Sequence, residues 1–155
     1  MKKTLLLLLV YCLVNATCTT VDVFEKNTTI PNHAWSSSFK PEIIFEITDT
    51  LSRYNIFAVF RHADAYRFKN IWMNMYVQMP GDTLQKQKLD LRLATDDKGW
   101  LGTGMDDIFS HRILITQQPV LLKKPGHYRF RLENIMREDP LEYVMNVGIR
   151  VEKVK

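Results

Sequence analysis

From Trp35 onward, apolar and polar residues alternate with period two, the spacing of strands that bury one face. Ile43, Phe45 and Ile47 alternate with Ile44, Glu46 and Thr48; Ile71, Met73, Met75 and Val77 alternate with Trp72, Asn74 and Tyr76. Leu89, Leu91 and Leu93 alternate with Asp90, Arg92 and Ala94, a strand with one wet face. The same pattern returns at Tyr128, Phe130 and Leu132 and again at Val147, Ile149 and Val151. The run from Tyr54 to Phe60 is apolar on both faces, which predicts a central strand. Pro80-Gly81-Asp82 and Pro125-Gly126 are turn signals between strands. Residues 106–118 fit a short helix or a strand equally well. Together these runs predict an all-β chain, an antiparallel β-sandwich of about eight strands for which a jelly-roll-like order is one solution.

The N-terminus follows another rule. Met1-Lys2-Lys3-Thr4 is a short cationic stretch, and Leu5 to Val14 is an almost unbroken apolar run. At about ten residues the run is too short to span a bilayer, which takes about 20 helical residues. Lysines, a short apolar block and then small polar residues make a secretory signal over residues 1–17. Two cleavage sites are open. Cys18 stands where a bacterial lipoprotein signal places its acylated cysteine, although Asn15 and Thr17 are unusual neighbours for it. Cleavage after Val14-Asn15-Ala16 would instead free Thr17. Either cut removes Cys12, so Cys18 has no intrachain partner. Residues 18–33 are polar and without period, which predicts a tether, followed by one β-sandwich domain over residues 34–155.

Charge then excludes one class of partner. The net charge of +4 falls to +2 once Lys2 and Lys3 are removed, and basic and acidic residues are interspersed. That is a solvated surface and not a nucleic-acid footprint. The chain is long enough to bury a core without metal or disulfide staples.

Candidate chemistry is sparse. His33, His62, His111 and His127 share no metal-ligand spacing, so no metal is expected. Asp96, Asp97, Asp106 and Asp107 flank a glycine-rich stretch; without a third ligand they are read as turn-formers, not as a calcium loop or an acid–base pair. No nucleophile elbow, phosphate loop or dinucleotide motif is present. No enzymatic activity, cofactor or small-molecule substrate is expected. Trp35, Trp72 and Trp100 are the possible binding residues, an aromatic platform for a sugar ring, with core packing as the competing reading. Asp49-Thr50 and Tyr54-Asn55 are read as closing a turn on the backbone. Arg61 ends a strand apolar on both faces, so its guanidinium needs a carboxylate or carbonyl partner, and Arg137 is read in the same way.

An ordered series of short motifs adds a family. Trp35, Asp49-Thr50, Tyr54-Asn55, Arg61, Gly99-Trp100-Leu101-Gly102-Thr103-Gly104, Met136-Arg137 and Gly148 within Val147–Glu152 resemble, in this order, the GldH family of gliding motility lipoproteins of Bacteroidetes. The resemblance implies a lipoprotein anchored through Cys18 in the cell envelope, in the outer membrane in preference to the inner. It implies service to gliding motility and the associated type IX secretion by contact with other envelope proteins, without catalysis or cofactor. The alternative reading is an envelope glycan-binding module resting on the tryptophans.

Overall fold

Each alternating run becomes a strand in the computed structural model, which describes residues 23–154. The signal segment and Cys18 lie outside the described residues. The strands are β1 (Val23–Thr29), β2 (Ala34–Trp35), β3 (Glu42–Ile47), β4 (Arg53–Ala63), β5 (Asn70–Gln78), β6 (Gln85–Arg92) and β7 (Ala94–Thr95). They continue as β8 (Gly99–Trp100), β9 (Thr103–Met105), β10 (Ile108–Leu114), β11 (Val120–Leu121), β12 (Gly126–Asn134), β13 (Leu141–Glu142) and β14 (Val144–Lys153). The segment left open between helix and strand is therefore strand β10.

Among the described residues, eight strands reach six residues or more, and they form two antiparallel sheets. The larger runs β1-β14-β4-β10-β9, with β11 also on β4; the smaller runs β3-β12-β5-β6. Counting only the eight long strands in chain order, the first lies beside the eighth, the eighth beside the third and the third beside the sixth. In the other sheet the second lies beside the seventh, the seventh beside the fourth and the fourth beside the fifth. This order is a jelly roll. The inward positions of both sheets merge into one core, including Phe45, Phe60, Ile71, Tyr128, Phe130 and Ile149. Trp35 is fully buried there, with its indole Nε1–H donating to the Phe39 carbonyl at 2.9 Å.

The tether is shorter than its composition suggests. Residues 23–29 pair with β14 along their whole length, and Ile30 behind them is buried. The inward side of β1 carries Phe24, which packs on Phe45 at 5.3 Å between ring centroids; Val23 is exposed and the remaining five residues are polar. One inward apolar residue gives no period, so the segment looks like a linker in sequence.

The β3–β4 connection closes as its residue types predict. Asp49 Oδ1 accepts from the backbone N–H of Leu51 and Ser52 at 3.0 and 3.1 Å. Its Oδ2 accepts from the Ser52 hydroxyl at 2.6 Å and pairs with Lys153 at 2.7 Å. Lys153 and these donors hold the Asp49 carboxyl well below the usual carboxylate range. Tyr54 Oη–H donates to the Asp49 carbonyl at 2.7 Å. Thr50 lies in the same half-buried turn, whereas the Asn55 side chain has its Oδ1 buried without a donor.

Strand β14 needs a glycine at position 148, opposite both Asn27 and Val59. A Cβ there would overlap Asn27 Oδ1 and lie 2.5 Å from the Lys26 carbonyl oxygen. Backbone cannot be moved aside as a side chain can, so Gly148→Ala is expected to push β1 off the sheet. The expected loss is about 1–3 kcal/mol, the usual cost of overpacking, read by urea unfolding. Adding Asn27→Ala should recover only part of it, because the Lys26 carbonyl remains in place.

Candidate functional site

The alternation of β4 sends His62 inward and Arg61 outward, and each organises one side of the larger sheet. Inside, His62 lies opposite Phe109 of β10, so His111, two residues along, is its diagonal neighbour. The two imidazoles stack with centroids 5.0 Å apart, and their Nε2 atoms are 2.9 Å apart. Both are buried. His62 Nδ1 lies 2.8 Å from the Ala63 carbonyl, which only accepts, so Nδ1 carries the hydrogen. Neutral His62 then offers Nε2 as acceptor, and His111 Nε2–H donates to it. Trp100 closes this box edge-on to His62 at 4.4 Å and anchors its own Nε1–H on Asp64 at 2.7 Å. Tyr66 and Phe109 complete the walls.

The glycine-rich stretch is what lets the chain pass over this box. A Cβ on Gly102 would lie 2.6 Å from the Ser110 carbonyl oxygen and 2.9 Å from the His111 ring. Gly104 packs on the Phe109 ring, and Gly99 turns the chain between β7 and β8. The family-like motif from Gly99 to Gly104 is thus a cover for the histidine pair, with Trp100 as its plug.

Outside, the same strands line a groove of about 900 Å³. Val59, Arg61, Asn146, Arg112, Glu25 and Leu101 are among its lining residues. His111 reaches it from beneath, so box and groove share a wall. Arg61 sits in a cross-strand row with Asn146 of β14 and Ser110 of β10. Neither is an acid. The nearby carboxylate, Glu25, accepts from Arg150 at 2.8 Å and pairs with Arg112 at 3.3 Å. Burial alone would raise the Glu25 pKa, but the hydrogen bonds from Arg150 and Asn27, with the charges of Arg112 and Arg150, bring it below the ordinary value.

Arg61 therefore departs from its expected pairing. Its Nε is sealed from solvent and finds no acceptor among the described residues. Arg137 departs as well: it is exposed, with its guanidinium over the Phe68 ring at 5.4 Å instead of on an oxygen. Met136 is better placed. Its Sδ accepts from the Trp72 backbone N–H at 3.2 Å, and its own N–H donates to buried Asn134 at 2.8 Å.

The tryptophans do not form a platform. Trp35 is in the core, Trp100 plugs the histidine box and is half-buried there, and Trp72 is exposed on the outer face of the smaller sheet beneath Lys88. The four aspartates are divided between two turns. Asp96 pairs with Lys69, burial opposing only weakly the drop in its pKa that this lysine causes, and Asp106 occupies a left-handed turn position with φ 53°. Among the described residues, no group of three His, Cys, Asp or Glu side chains could hold a metal ion. The histidine pair and the groove were not visible in sequence, since both arise from register between strands about fifty positions apart.

Comparison with known proteins fits these motifs. The family profile described as GldH lipoprotein matches residues 22–151. The chain belongs to the GldH lipoprotein family. The gliding motility lipoprotein GldH of Flavobacterium johnsoniae is 22% identical over 154 residues, covering 95% of this chain and 94% of its own. A chain in a structure of infectious bursal disease virus, Gx strain, is 10% identical; the match covers 85% of this chain and 32% of that one. At a TM-score of 0.27 it carries no argument. GldH membership makes this a gliding-motility lipoprotein, a lipid-anchored protein of the cell envelope, and places it outside the known enzyme families. The profile begins at residue 22, next to β1, in keeping with β1 as part of the GldH fold.

Three measurements test this geometry. Burial, then the adjoining His62, lowers the His111 pKa from 6.5 to about 4, and burial lowers that of His62 against the pull of Asp64. The folded state thus resists a proton that the unfolded chain accepts. The contribution is complete above pH 6.5 and is lost as pH falls toward about 4. Unfolding free energy should drop across that window by on the order of 3 kcal/mol. Long-range ¹H–¹⁵N spectra should show His62 protonated at Nδ1 and His111 at Nε2. Separately, Arg61→Met removes an unpaired buried donor while keeping the apolar stem. Its melting temperature should equal or exceed that of the parent, with a gain of up to about 1 kcal/mol.

Proposed function

We propose that this protein is a lipid-anchored accessory component of the gliding machinery and of the associated type IX secretion, and that it acts by protein–protein contact. The observation that carries the reading is the groove on the outer face of the larger sheet. It is lined by arginines and aliphatic side chains and contains an arginine with no partner among the described residues. A domain of that kind positions other proteins. Family membership supplies the process, and Cys18 supplies the anchor, with the domain held at the outer membrane in preference to the inner one.

Deleting the gene in its own bacterium is expected to abolish colony spreading and to reduce release of proteins carrying type IX signals. Restoring the wild-type gene should recover both, and a Cys18→Ala version should appear in the soluble fraction and recover neither. Mass spectrometry of the mature wild-type protein should find an acylated Cys18 at the N-terminus. Normal spreading and normal secretion in the deletion strain would refute the assignment, and a free Thr17 N-terminus would refute the anchor.

A further inference from the structure

The groove also carries information about what it contacts. A guanidinium left without an acceptor inside the fold is free to take one from a ligand. The Arg61 side chain has no hydrogen-bond or ion-pair partner among the described residues; its Nε is sealed from solvent, so a ligand would meet the terminal guanidinium nitrogens. Arg92 and Arg112 line the same groove, against Glu25 as its single acid, and Glu25 is already shared between Arg150 and Arg112. The groove therefore has an excess of guanidinium groups, whose planar forks bind carboxylates through two parallel hydrogen bonds.

Spacing narrows the ligand further. In the β4–β10 register, Ser110 faces Arg61 and Arg112 faces Val59, so Arg61 and Arg112 are diagonal neighbours on one face of the sheet. Diagonal neighbours lie about 7–8 Å apart. Alternate residues of an extended peptide, pointing to the same side, are separated by about 6.5–7 Å. The two repeats match closely enough for one strand-like segment to present a carboxylate to each arginine. A sugar polymer fits less well: apart from the imidazole of His111 beneath, no aromatic ring lines the groove to stack on a pyranose face.

We infer that the groove over Val59 binds an extended acidic segment of a partner protein, with Asp or Glu at alternate positions seated on Arg61 and Arg112. Leu101 and Leu114, both exposed in the lining, would pack on aliphatic side chains of the segment. The inference deepens the proposed contact function and rests on it only for its biological meaning; the binding itself is a separate property.

The test uses the full-length protein in detergent and a fluorescent peptide with Glu at every second position. Controls have the same composition with the glutamates in one block, or Lys in place of Glu. The alternating peptide should bind, the block peptide several-fold more weakly, and the Lys peptide not at all. Arg61→Met should weaken binding about tenfold or more while the protein still melts at or above the parent temperature. Arg112→Met should weaken it less, since Arg112 already has Glu25, and Arg61→Lys should recover only part of the affinity because it lacks the fork. Equal affinity for block and alternating peptides, undiminished binding by Arg61→Met, or displacement by oligogalacturonate or inorganic phosphate at matched charge would each overturn the inference. Testing Arg61→Met in the bacterium separates the two claims. Lost peptide binding with normal spreading would leave the site and remove its proposed role. Retained binding by Arg61→Met together with a deletion strain that cannot spread would do the reverse.

Discussion

Strand β4 is bonded on both edges, to β14 along one and to β10 and β11 along the other. Everything notable on either side of the larger sheet is set by its phase. Side chains change face at each residue, so a slip of one position would place Arg61 in the core and His62 in water. The pairing partners enforce the phase in different ways. β10 brings His111 into contact with His62, and β14 carries an irregularity between Val144 and Asn146. In a regular strand Val144 and Asn146, two positions apart, would face the same side; the irregularity takes up Met145 and puts them on opposite faces. With it, Val144 stands opposite His62 in the core and Asn146 stands beside Arg61 outside.

The two sides differ in how completely their polar groups are answered. Under the sheet, both imidazoles have hydrogen-bond partners, and the indole over them is tied to Asp64. The chain covering them can approach only because position 102 has no side chain. Above the sheet, Glu25 is oversubscribed and Arg61 is unanswered. A fully satisfied box stiffens the strands that carry the groove, so its arginines hold a fixed spacing. Rigidity on one face and unmet demand on the other is the arrangement expected of a binding surface.

How much of this could be read from the sequence depended on how apolar the inward residues were. β3, β4, β5, β12 and β14 bury runs such as Ile43, Phe45 and Ile47, and their alternation was plain. β10 was ambiguous because its most buried residue is His111 while Leu114 is exposed. β1 was missed because Phe24 alone marks its inward side. The Asp49 turn was legible since its chemistry is local: an aspartate closes on amides two and three residues on. Arg61 stood out as a charge at the end of an apolar strand, but sequence predicted a partner, and the absence of one depends on which residues flank it across two strands. The tryptophan platform failed for a similar reason, as three rings far apart in sequence were assigned by register to three different environments.

That β1 starts at Val23 and not near residue 34 changes the mechanics of the anchor. A lipid on Cys18, as proposed, would stand five residue steps from Val23, a contour of at most about 18 Å. A linker running to residue 33 would have let the domain sample a wide hemisphere and meet partners well away from the lipid. With the proposed lipid on Cys18 the sandwich would be leashed close to the bilayer surface, and with it the groove, whose lining includes Glu25 and Asn27 of β1. A segment presented by a protein that sits in or passes through the same membrane would then meet the groove without the domain leaving the bilayer surface.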